Sequence, residues 1–70
     1  MAPKLLDVVA LLHDFPAEKL VRGQVGTVVE ELAPGVSEVE FSDNNGRAYA
    51  TLTLRTEQLM VLVHEAIAAA

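Results

Sequence analysis

Val36 to Ser42 alternates apolar and polar positions. Val39 and Phe41 fall on one face and Glu38, Glu40 and Ser42 on the other, the period of an antiparallel strand with one wet side. Asp43-Asn44-Asn45-Gly46 follows, and Asn-Gly is a strong hairpin signal because both residues tolerate positive φ. In the return strand, Arg47 to Leu54, Tyr49, Thr51 and Thr53 alternate with Ala50, Leu52 and Leu54. The pattern therefore predicts a β-hairpin across Asn45-Gly46.

The first segment is less decided. Leu5, Leu6, Val8, Val9, Leu11 and Leu12 recur at helix-like spacing, yet Asp7 to Leu12 also forms a short apolar run suited to a buried strand. Periodicity leaves both readings open. Phe15-Pro16 ends either element, since the residue before proline is driven to extended geometry. Ala17 to Arg22 reads as a loop, and Gly23 to Glu30 as a β-branched strand. Its glycines mark a turn at Gly23 and a bulge or close backbone contact at Gly26. Glu31 to Gly35 is expected to be a turn punctuated by Pro34-Gly35. Thr56 to Leu59 suggests a single helical turn with Thr56 as candidate cap, and Met60 to Val63 a closing strand. The order predicts a mainly β fold, a small five-stranded SH3-like barrel with one short helical turn before the last strand. Closure of such a barrel would remove exposed sheet edges. Residues 1–63 form the expected domain, and 64–70 an alanine-rich tail that frays or extends a short helix.

Composition limits what this fold can carry. A chain of 70 residues is one domain, burying only about 60% of the surface its unfolded form exposes. With 51% hydrophobic residues and a mean hydropathy of +0.33, it is too apolar to be disordered. Phe15, Phe41 and Tyr49 are its only aromatics, so the core is expected to be aliphatic. Ten acidic against five basic residues give a net charge of −5, which opposes a nucleic-acid backbone and an anionic membrane surface. It suits solubility or a partner with a basic face. The absence of cysteine excludes disulfides, cysteine-type zinc sites and thiol catalysis. Asp7 and His13-Asp14 interrupt the N-terminal apolar stretch, unlike a signal peptide. No run reaches the roughly 18 apolar residues of a membrane span, and the expectation is a cytoplasmic protein.

Candidate chemistry is sparse. His13 and His64, with Asp14 and Glu65, offer donors for a metal site, but their spacing matches no zinc motif. Asp43-x-Asn45-Gly46 has the start of a calcium loop without its closing glutamate. Gly23-x-x-Gly26 lacks the lysine and the following helix of a phosphate loop. Glu30, Glu31, Glu38 and Glu40 straddle one turn, where they form an acidic patch on solvent faces. Docking a basic partner is its main functional alternative to plain solvation. Ser37, Ser42 and the threonines have no histidine-plus-acid arrangement in the sequence around them. No catalytic, cofactor or metal-binding residue is therefore expected.

One resemblance spans about nine-tenths of the chain. Its N-terminal half rests on Leu6-Asp7-Val8-Val9-Ala10-Leu11, Phe15-Pro16 and Leu20-Val21-Arg22-Gly23-Gln24-Val25-Gly26-Thr27-Val28-Val29-Glu30. Glu38-Val39-Glu40-Phe41-Ser42-Asp43, Asn45-Gly46-Arg47, Tyr49-Ala50 and Leu59-Met60-Leu62 carry the remainder. In order and spacing these resemble the bacterial domain-of-unknown-function family 4926. The resemblance implies a small SH3-like barrel and so favours the strand reading of Leu6 to Phe15. It implies no activity, cofactor or catalytic residue, and fold alone does not license function. The expected function is a non-catalytic protein-interaction or accessory module, neutralising or assisting the product of a neighbouring gene. It would act alone or as a small homo-oligomer. Its expected contact residues are Arg22, Glu30, Glu31, Asp43, Asn45 and Arg47. The alternatives are a nucleic-acid-binding module of the SH3-like or KOW type, which needs the basic residues on one face, and a small enzyme or metal protein centred on His13 and His64.

Overall fold

The computed structural model describes residues 2–64; Glu65 and most of the expected tail at 64–70 lie outside them. Five strands form one antiparallel sheet: β1 (Val8–Leu11), β2 (Val25–Ala33), β3 (Val36–Ser42), β4 (Ala48–Arg55) and β5 (Leu59–Val61). Their order across the sheet is β4-β3-β2-β1-β5. Single 3-10 turns at Pro16–Glu18 and Thr56–Gln58 are the only helical elements among the described residues. The protein is thus mainly β, with a helical turn directly before its last strand, as its sequence predicts. The apolar segment that allowed helix or strand is the strand β1, held between β2 on one side and β5 on the other.

The inward side chains close one aliphatic core around a single aromatic ring. Val9, Leu11, Leu20, Val28, Val39, Phe41, Leu54 and Leu59 are buried, and Phe15, Ala50, Leu52 and Val61 pack against them. Burial alternates along β3 and the second half of β4, as the sequence period requires. Leu20 reaches this core from the β1–β2 connection, which was expected to be plain loop. There Phe15 and Leu20 exchange backbone hydrogen bonds of 2.9 and 3.1 Å, and a 3-10 turn fills the space between them.

Gly26 lies opposite Phe41 in the β2–β3 ladder. A Cβ there would sit 2.8 Å from Val39 Cγ1, 2.9 Å from the Glu40 carbonyl oxygen and 2.9 Å from Phe41 Cδ1. The glycine lets the backbone of β2 close over the Phe41 ring. Of the two expectations for this position, close contact is the one realised, while Gly23 occupies a turn at φ +93°.

Four local readings change. Glu31 to Ala33 are not turn but the end of β2, and only Pro34 and Gly35 turn the chain. The ladder continues because β2 absorbs two extra residues: Val29 falls between the Val28↔Val39 and Glu30↔Glu38 pairs, and Leu32 between Glu31↔Ser37 and Ala33↔Val36. These are β-bulges. At the next hairpin Gly46 alone, φ +80°, takes the left-handed conformation. The loop there has three residues, closed by Asp43 N–H donating to the Arg47 carbonyl at 2.8 Å, the turn-plus-bulge form of hairpin. Thr56 does not cap its 3-10 turn but begins it. The cap position belongs to Arg55, whose backbone N–H donates to Gln58 Oε1 at 2.8 Å. Finally, the hydrogen-bonded ladder stays open, with β4 and β5 as its two ends. The 3-10 turn occupies the corner between them, and β5 is only three residues long.

Candidate interaction surface

The expected contact residues separate into two groups at opposite ends of the sheet. Asp43, Asn45 and Arg47 lie on the exposed β3–β4 loop. Arg22 joins that end, because the next residues reach the same corner: Gln24 Nε2 donates to the Tyr49 hydroxyl at 2.9 Å. Arg22 is itself anchored through its backbone N–H to Asp14 Oδ1 at 2.8 Å. Glu30 and Glu31 stand at the far end of β2, where it pairs with Glu38 and Ser37. Glu31 lies seven residues beyond Gln24, roughly 23 Å of extended chain. Asp43 also has a structural task, since its Oδ1 accepts the backbone N–H groups of Asn45 at 2.8 Å and Arg47 at 3.0 Å. That arrangement, and the strand that follows, explain the calcium-loop fragment as turn geometry.

The four glutamates form a more specific pattern than a patch around a turn. Glu30 and Glu38 are directly opposite across β2 and β3, on the face away from the core, and Glu40 follows on that face between Thr27 and Thr51. Glu38 accepts from the Thr53 hydroxyl at 3.4 Å. Like charges directly opposite in a ladder repel, and the only ion pair among the described residues is Arg55–Glu57 at 2.8 Å. Glu31 falls in register with inward-facing Ser37, and it accepts the backbone N–H of Leu5 at 3.1 Å.

Beside this acidic half lies an apolar half that sequence reasoning did not single out. In register across β2, β1 and β5 run Val25, Ala10 and Met60, all on the outer face. Val8 follows beside Thr27, and Leu62 N–H donates to the Val8 carbonyl at 2.9 Å. Val25 and Met60 are 47% and 52% exposed. The uninterrupted apolar run Met60-Val61-Leu62-Val63 was the available signal: without alternation, both faces of the strand are apolar. Val29, Leu32 and Tyr49 are exposed for a different reason. Each is the extra residue of a bulge.

The histidines do not meet. β1 and β5 are neighbours but antiparallel, with Ala10 opposite Met60, so His13 and His64 leave the pair at opposite ends, both exposed. Among the described residues no group of three or more His, Asp or Glu is placed to hold a metal ion. The basic residues also divide. Lys19, Arg22 and Arg47 lie toward the β3–β4 loop, whereas Lys4 and Arg55 lie toward the Pro34-Gly35 turn. No helix among the described residues is long and apolar enough to cross a membrane.

The family model described as "Domain of unknown function (DUF4926)" matches residues 5–61. The chain belongs to the DUF4926 family. The matched span of DUF4926 takes in all five strands, from the turn before β1 to the last residue of β5. No curated protein and no solved structure matches the chain.

Proposed function

We propose that this DUF4926 protein is a non-catalytic protein-interaction module on an SH3-like scaffold. The outer face of its sheet is the contact surface, and the partner presents basic and apolar groups side by side. The observation that carries this reading is the directly opposed Glu30 and Glu38 pair, extended by Glu40 and bordered by Val25, Ala10 and Met60. A basic residue placed between the two carboxylates would relieve their repulsion, and the neighbouring apolar row would add burial. The division of the five basic residues between two ends of the sheet favours this over a nucleic-acid surface, which needs its cations together. A role as accessory or neutraliser of a neighbouring gene's product, in the cytoplasm, belongs to the same proposal.

The test is capture from lysate of the native host with the wild-type chain, a Glu38→Lys/Glu40→Lys double variant and Val25→Lys. A partner held by wild type and lost from both variants, with their fold intact by circular dichroism, is the expected result. A partner captured equally by all three would remove the outer face from the argument. Retention of salt-sensitive RNA instead of protein would favour the nucleic-acid alternative.

A further inference from the structure

The edge of β5 has a property that the outer-face reading does not use. Strands alternate the direction of their backbone groups, and the bonds Leu12 N–H to Gln58 O and Leu62 N–H to Val8 O show which β5 residues face β1. Gln58, Met60 and Leu62 turn their backbones toward β1; Leu59, Val61 and Val63 turn theirs toward the open edge. Leu59 N–H is spent on the Thr56 carbonyl. Among the described residues, Val61 N–H and C=O and Leu59 C=O are the groups left at that edge, and Val63 N–H, two residues past the end of β5, continues the same alternation.

Natural sheets blunt their edges by keeping edge strands very short or with charges, proline or bulges. The β4 edge follows this rule, carrying the Tyr49 bulge, exposed threonines and Arg55. The β5 edge is short, at three residues, but chemically open: Leu59 to Val63 contains no charge, no proline and no glycine. We propose that this edge pairs with the same edge of a second copy, joining two sheets about a twofold axis through Val61.

The segment is self-complementary, as an isologous contact requires. Antiparallel pairing about Val61 sets Val61 against Val61, Leu59 against Val63 and Met60 against Leu62, apolar on apolar at every step. It forms four backbone hydrogen bonds: two between the Val61 residues and two from Val63 N–H to the Leu59 carbonyl of the other copy. Leu59 N–H, already bonded within its own chain, sets the end of the pairing. The net charge of −5 does not oppose it. Glu38 and Glu40 stand three strands away on β3, at about 4.8 Å per strand, beyond a Debye length of about 10 Å at moderate salt. Two carboxylates stand nearer: Asp7, in line with Val63 by the β1–β5 register, accepts the Lys4 backbone N–H at 2.8 Å, and Glu57 is paired with Arg55.

The test is light-scattering mass over a wide concentration range, together with amide hydrogen exchange, on wild type, Met60→Lys and Val63→Lys. Both substituted side chains are about half exposed, at 52% and 53%, so each variant is expected to fold. The expected result is a mass rising with concentration from 7.5 kDa to twice that value. Slowing of Val61 and Val63 amide exchange should follow the same curve, and at least one folded variant should remain monomeric. A mass that stays monomeric throughout would overturn the proposal. So would a dimer that persists in both variants, one in which Val61 exchanges as fast as in dilute solution, or growth beyond two copies. The Val63→Lys arm is independent of the outer-face reading, which includes Met60 but not Val63 and is tested through Glu38, Glu40 and Val25.

Discussion

The β3–β4 hairpin and the β1–β5 pair are both antiparallel ladders in one sheet, and they are built on opposite plans. In the hairpin, Val39, Phe41 and Leu54 are buried while Glu38, Glu40, Thr51 and Thr53 look outward. In the β1–β5 pair, Val9, Leu11 and Leu59 are buried, but the outer face is also apolar, through Val8, Ala10, Met60 and Leu62. A hairpin with one wet face announces its register in the sequence, because a slip by one residue would expose its core side chains. A pair that is apolar on both faces announces only that it is buried or that something covers it. Its members are also far apart in the chain, so their pairing closes a long loop. β2 is common to both plans: it pairs with β1 through Val25 and with β3 through Ala33, and Gly26 allows its close approach to Phe41.

Substitutions should separate the two plans by size of effect. Phe41→Ala removes the only aromatic ring in the buried core and should cost about 3–5 kcal/mol in urea unfolding. A cost below about 1 kcal/mol would mean that the hairpin is not the main anchor of the core. Gly26→Ala should follow at about 1–3 kcal/mol, since the Glu40 carbonyl at 2.9 Å belongs to the backbone and cannot rotate away. A neutral result would show that β2 can move off β3 without loss. Asp43→Ala deprives two backbone N–H groups of their acceptor. It should cost about 1 kcal/mol and shift amide exchange near the β3–β4 loop while leaving β1 and β5 unchanged. Equal changes in both regions would join what the comparison separates.

The smallest effect concerns the corner between β4 and β5. The backbone N–H of Glu57 itself, and then Arg55 beside it, hold the Glu57 carboxyl below its ordinary value. A depressed carboxyl contributes stability that is present above its unfolded-state value and lost as pH falls through the folded one. Glu57→Gln should therefore be slightly less stable than wild type near neutral pH and indistinguishable from it in strong acid. With the side chain exposed, the difference should lie at the edge of detection in thermal melts, and a gap that widened on acidification would reverse the assignment.

Much of the hairpin was legible because its pattern is local. Alternation from Val36 to Leu54, the Asx-Gly turn and the single turn before the last strand all follow from neighbours in sequence. The bulges were not legible. Val29, Leu32 and Tyr49 look like ordinary strand residues, and only the pairing partners show that each is supernumerary. For the same reason the end of β2 was read as turn: a strand that absorbs two bulges loses the period by which strands are recognised. The candidate surface was half legible. Glu30, Glu38 and Glu40 stand out by charge, whereas Val25, Ala10 and Met60 come from three segments that only register brings into one row.

By itself, then, the sequence determined the fold class, the hairpin, the aliphatic core and the acidic balance, because each rests on short-range pattern or on composition. It marked Gly26 as a bulge or a close backbone contact, and the structure decided for contact. Tertiary structure decided that the first apolar segment is a strand, since apolar residues on both of its faces erase the periodicity that distinguishes strand from helix. It placed Glu30 against Glu38, sent His13 and His64 to opposite ends of neighbouring strands, and left β5 at the edge of the sheet. Those outcomes depend on long-range pairing and strand direction, which no residue specifies alone.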